Sequence, residues 1–140
     1  MINTKFRFPV TGYEMKALRA SHILSICDDH ILSESRELLL RHAGYSVQST
    51  RSDADPTEWS DTSIDLVLLC HTVEENRLRE LIGRLRRFFP EAGIVCIGQF
   101  ADGRDRLADG GCIVEDGPDG LLKSVEAVLD QAKLARHSSA

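Results

Sequence analysis

No apolar run in this 140-residue chain approaches the roughly 18–20 residues that span a bilayer. Residues 1–20 also lack the apolar core of about 7–15 residues that a secretory leader requires. The two absences point to a cytoplasmic chain with no membrane partner. The four cysteines (Cys27, Cys70, Cys96 and Cys112) show no C-x-x-C spacing, and each lies within or at the end of a strand-like segment. That pattern excludes a disulfide framework and reads as buried free thiols. Positive charge is also in short supply. The 17 Lys and Arg fall below the 22 Asp and Glu, for a formal net charge of −5, which excludes a nucleic-acid footprint spread over the whole surface. Internal repeats, low-complexity linkers and a second domain are lacking too, and no DNA-binding effector is expected after the last helix.

What is present is 42% hydrophobic content, enough for one domain with a core. Its centre is Ile64-Asp65-Leu66-Val67-Leu68-Leu69-Cys70-His71, an apolar run of strand length with almost no polar alternation. Such a run suits a strand buried on both faces of a parallel sheet. The crevice that binds or reacts then lies at the carboxyl ends of the strands, where Cys70 and His71 stand.

Strand and helix patterns alternate around this run, so the class is α/β. A first strand, His22 to Cys27, ends in Asp28-Asp29-His30, and a helix follows from about Leu32 to His42. That helix offers Leu38, Leu39, Leu40 and Ala43 to the core, with Gly44 as its stop. Tyr45 to Thr50 reads as an edge strand. A weak second helix would be capped by Asp55, opened by Pro56 and anchored by Trp59. Glu74 to Phe89 is the clearest helix, with Leu78, Leu81, Ile82, Leu85 and Phe88 on one face and Pro90 after it. Its arginines, Arg84, Arg86 and Arg87, read as a solvated face. Gly93 to Gly98 is a fourth strand, Ala101 to Gly111 a short or frayed helix, and Cys112 to Val114 a brief fifth strand. The last helix opens at Gly117-Pro118 and buries Leu121, Leu122, Val125, Val128, Leu129 and Ala132. Residues 1–20 read as an appendage, 21–132 as the domain and 133–140 as a tail.

Five alternating strand–helix units, the acidic pair in HILSICDDH and the later run DLVLLC together resemble the receiver domain of two-component response regulators. The similarity covers about residues 21–132. It implies a flavodoxin-like, doubly wound parallel sheet of order 2-1-3-4-5 with helices on both faces. By the resemblance, Asp28 and Asp29 fall on the metal-binding acids and Cys70 on the phosphoacceptor aspartate. Gly98 stands where a Ser or Thr is usual, and Glu115 or Asp116 where a lysine is usual. Pro118 lies a little after the family's proline. Three positions that carry phosphorylation are therefore changed.

The chemistry of those changes can be argued directly. Mg²⁺ prefers hard oxygen ligands, and a thiol is a poor replacement for a carboxylate. A phosphoryl group adds a charge of about −2 that needs a metal or a cation beside it. Glu115 and Asp116 supply repulsion instead, and Gly98 has no hydroxyl. The reading is a stand-alone, degenerate receiver-like signalling module that acts through protein contacts and is not phosphorylated at the usual position. Such domains pair through the fourth helix, fifth strand and fifth helix, so the resemblance suggests a homodimer.

The competing class is a small enzyme, or a metal- or thiol-dependent sensor, centred on Cys70 with Asp28 and Asp29. A nucleophilic Cys70 would need a nearby cation or base. The neighbouring carboxylates are expected to raise its pKa, and His71 is expected to point to the other side. Zn²⁺ could take Asp28, Asp29, Cys70 and His30 or His71, but the spacing fits no standard zinc motif. The acid pair alone could bind Mg²⁺ or Ca²⁺ weakly, or could simply cap the first helix. A disulfide between Cys27 and Cys70 is within reach of neighbouring strands about 4.8 Å apart, although bridging geometry is demanding. Conventional phosphotransfer from a histidine kinase ranks third.

Overall fold

Alternation on buried strands decides the architecture. In the computed structural model, which describes residues 21–55, 58–59, 63–98 and 108–138, β1 (His22–Ile26), β2 (Ser46–Thr50), β3 (Leu66–Leu69), β4 (Gly93–Gly98) and β5 (Gly110–Ile113) form one sheet. All neighbouring pairs are parallel and the order is 2-1-3-4-5. This is the doubly wound arrangement expected from the sequence, with β3 at its centre and every residue of that strand buried. Odd-numbered Ile23 on β1 joins Leu66, Leu68, Val95 and Ile97 on one face. Even-numbered Leu24 and Ile26 join Val67, Leu69, Ile94 and Cys96 on the other.

The first face is covered by α1 (His30–His42) and α3 (Gly117–Ser138), through Leu40 and through Leu121, Val125, Val128 and Leu129. The second face is covered by α2 (Glu75–Phe88), through Leu78, Leu81, Ile82 and Leu85. Trp59 is buried against the same side and stacks with Phe88 and Phe89 at centroid distances of 5.6 and 5.7 Å. No helix among the described residues is long and apolar enough to cross a membrane.

Several boundaries move. α1 begins at His30 rather than Leu32, because Asp29 caps it. Leu38 is 70% exposed and Ala43 is exposed, so neither enters the core. Leu38 and Leu40 lie about 200° apart around the helix, and only one of the two can face the sheet. Phe88 is likewise more exposed than buried at the end of α2. β5 comprises Gly110–Ile113, and Val114 passes into a short 3₁₀ turn with Glu115 and Asp116. The last helix continues to Ser138, so most of the segment read as a tail is helical. The appendage at residues 1–20, Pro56 of the weak second helix and most of the frayed fourth helix lie outside the described residues.

Candidate functional site

The β1 and β3 ladders continue one residue past the strands. Cys27 N–H donates to Thr50 O and Cys70 N–H to Ile26 O, both at 3.0 Å. Since Ile26 pairs with Leu69, Cys27 and Cys70 stand side by side at the carboxyl end of the sheet. Both are odd or even in step with the residues facing α1, so both side chains turn toward that helix. Each is only 2% exposed.

α1 supplies what the sequence reading said was missing. Arg36 lies on its inner side, and its Nη1 donates to Cys70 Sγ at 2.6 Å and reaches Cys27 Sγ at 3.8 Å. The mouth of the sheet therefore holds a cation, and the expectation of a purely anionic pocket is overturned. The cation comes from the first helix rather than from the segment after β5. The Cys27 thiol donates to Cys70 Sγ at 2.8 Å, and the Thr72 hydroxyl lies 3.7 Å from Cys27 Sγ.

These contacts reverse a second expectation. The hydrogen bond from Cys27, then those from the Thr72 hydroxyl and N–H, then the Arg36 charge outweigh burial and lower the Cys70 pKa from 9.0 to about 5. Cys27 moves the other way, held protonated chiefly by the bond it makes to Cys70 and next by burial. Within the pair, ionisation is therefore favoured at Cys70 and disfavoured at Cys27. His71, expected on the opposite side, brings its Nδ1 to 3.8 Å from Cys70 Sγ, because the chain has left the strand and turns there.

The acids are committed elsewhere. Asp28 accepts from Ser52 twice, from its N–H at 2.8 Å and its hydroxyl at 2.6 Å. Asp28 N–H in turn donates to Thr72 Oγ1 at 3.1 Å, tying the ends of β1, β2 and β3 together. Asp29 accepts from Leu32 N–H at 3.0 Å as the cap of α1. Capping thus describes Asp29, whereas Asp28 is a clamp on the loop after β2. Gly98 is buried at the end of β4 and offers no hydroxyl. Glu115 and Asp116 are exposed, with Asp116 accepting from Ile113 N–H at 3.0 Å. Cys96 is buried in β4 and Cys112 half-buried in β5; none of the four cysteines is in a disulfide.

The Mg²⁺ that the resemblance implies does not fit the donor set. Both oxygens of Asp28 are taken by Ser52, one of Asp29 by a helix N–H, and the third ligand position is a thiolate paired with a guanidinium. Among the described residues, no group of three His, Cys, Asp or Glu side chains is placed to hold a metal ion.

The sequence offered two signals for Arg36. Leu32, Arg36, Leu39 and Leu40 share one side of α1, and a lone arginine interrupts it. Strand parity then puts Cys27 and Cys70 beneath that side.

No family model matches this chain, and no curated protein matches it. Solved structures do. A CheY-like response regulator receiver domain protein from Methanospirillum hungatei superposes with a TM-score of 0.71 at 18% identity, covering 84% of this chain and 99% of that one. NtrX from Brucella abortus gives 0.74 at 21% identity over 86% of this chain and 29% of its own. The response regulator TrrA from Thermotoga maritima, in complex with Mg²⁺–BeF, gives 0.64 at 20% identity over 77% of this chain and 98% of its own. The fold is that of response regulator receiver domains.

Proposed function

We propose that this chain is a receiver-like signalling module that works by protein–protein contact, with an arginine-held thiolate where phosphate would be accepted. The observation that carries the reading is the 2.6 Å contact between Arg36 Nη1 and Cys70 Sγ at the carboxyl end of β3. A receiver position of this kind needs a free carboxylate and a cation for the phosphoryl oxygens. Here the carboxylate is replaced by sulfur, and the cation already has an anionic partner. The remaining acids are engaged by Ser52 and by the N-terminus of α1.

The module needs no cofactor, acts in the cytoplasm, and binds neither nucleic acid nor membrane. We assign it no enzymatic role, a reading supported by the burial of Cys70. Its partner is a signalling protein, and the resemblance adds self-pairing through β5 and α3 as a second mode.

The test is intact-mass spectrometry after incubation with acetyl phosphate or phosphoramidate and Mg²⁺. The mass stays unchanged on this reading. A stable phosphoryl adduct on Asp28 or Asp29 contradicts it.

A further inference from the structure

The geometry points to a hydroperoxide-reactive dithiol at the carboxyl edge of the sheet: Cys70 is the sulfur that is oxidised first, and Cys27 resolves it to an intramolecular disulfide. This goes beyond the signalling reading and does not depend on it, since it concerns sulfur chemistry alone.

Three independent observations support it. The two Sγ atoms are 2.8 Å apart, and they belong to directly paired residues of parallel neighbours. Strands at about 4.8 Å put the Cα atoms inside the range of about 4.4–6.8 Å that a disulfide spans. Little movement is needed to close the bond. Secondly, Arg36 Nη1 and the Cys27 thiol both donate to Cys70 Sγ, which favours ionisation of that sulfur over its neighbour. That is the division of labour a nucleophilic and a resolving cysteine need. Thirdly, a cavity of about 270 Å³ opens onto Cys27, lined also by His30, Ser33, Glu34, Glu37, Ser49 and Arg51. It is roomy for hydrogen peroxide, and Cys70 Sγ is 2.8 Å from the Cys27 sulfur that lines it.

The steps balance. The Cys70 thiolate attacks one peroxide oxygen; the S–O bond forms, the O–O bond breaks, and hydroxide leaves and takes a proton from solvent. Sulfur loses two electrons to the peroxide and becomes a sulfenic acid. The Cys27 sulfur then attacks Cys70 Sγ; the S–S bond forms, the S–O bond breaks, and the departing hydroxide carries off the Cys27 proton as water. In sum, two thiols and one hydrogen peroxide give one disulfide and two waters. The product has no thiolate, so Arg36 loses its anionic partner when the bridge closes.

The experiment treats the full chain with hydrogen peroxide, quenches it, and maps cysteines by peptide mass spectrometry alongside a free-thiol count in denaturant. The wild type is expected to go from four free thiols to two, with a Cys27–Cys70 cross-linked peptide that dithiothreitol reverses. Cys27→Ser should stop at a dimedone-reactive sulfenic acid on Cys70. Arg36→Met should slow bridging at neutral pH, as Cys70 Sγ loses a donor and a neighbouring positive charge. If Cys27→Ser does not fold, the wild-type map alone decides. A thiol count that stays at four, or a bridge formed by Cys96 or Cys112, overturns the proposal. Acetyl phosphate labelling would sink the signalling reading and leave this one standing.

Discussion

At the scale of single residues, Arg36 changes the meaning of Cys70. With carboxylates alone around it, a thiol at the end of β3 would be an inert filler. With a neighbouring thiol donating to it and a guanidinium at 2.6 Å, its pKa is drawn down rather than up. The consequence for stability has a definite sign. Cys70 ionises at about 5 in the fold against an ordinary value of 9.0, so between those values the unfolded chain holds one more proton. Its contribution is full above about 9, shrinks as pH drops, and is lost as pH falls through about 5. Cys27, whose pKa is raised, adds the opposite slope only above its unfolded value. Urea unfolding at pH 5.5 and 8.5 should therefore show a larger gain with pH in the wild type than in Cys70→Ser. The difference should be at most about 1.4 kcal/mol per pH unit. Parallel curves for the two proteins would show that Cys70 is protonated throughout.

The elements show why some of the structure was legible in the sequence and some was not. β3 was readable because a strand with no polar alternation has few other places to go. The end of α1 was readable because Gly44 takes φ 102° there. Its N–H and that of Tyr45 return to Arg41 O and Leu40 O, closing a Schellman motif. The exposure of Leu38 was not readable, since three consecutive leucines do not say which of them faces the sheet. The start of β5 was hidden by Gly110 and Gly111, which look like loop. They are strand because α3 packs against them: a Cβ on Gly110 would lie 2.6 Å from Val128 Cγ2, and one on Gly93 would collide with Val128 Cγ1. Gly93→Ala should thus cost on the order of 1–3 kcal/mol by overpacking. In the Gly93→Ala, Val128→Ala double variant that cost should shrink, so that the two substitutions together destabilise less than their sum. Simple additivity in urea unfolding would show that the helix does not press on the strand there.

For the whole molecule, topology does what no local motif could. Cys27 and Cys70 are 43 residues apart, and only the central pairing of β1 with β3 makes them neighbours. The α/β class was legible from alternation, and the order 2-1-3-4-5 from the resemblance; the electrostatics of its mouth was not, because the deciding charge sits on a helix face and acts across the sheet edge. The same topology separates the two acids, sending Asp28 to Ser52 and Asp29 to the start of α1. The outcome is a receiver-domain fold in which Cys27, Cys70 and Arg36 meet at the carboxyl end of the sheet.

The most direct check is the pH titration of the Cys70 ¹³Cβ resonance by NMR in the reduced protein, assigned by its loss in Cys70→Ser. A midpoint near 5, moving upward in Arg36→Met, is the expected result. A midpoint at or above the ordinary thiol value of 9.0, unaffected by Arg36, would contradict it.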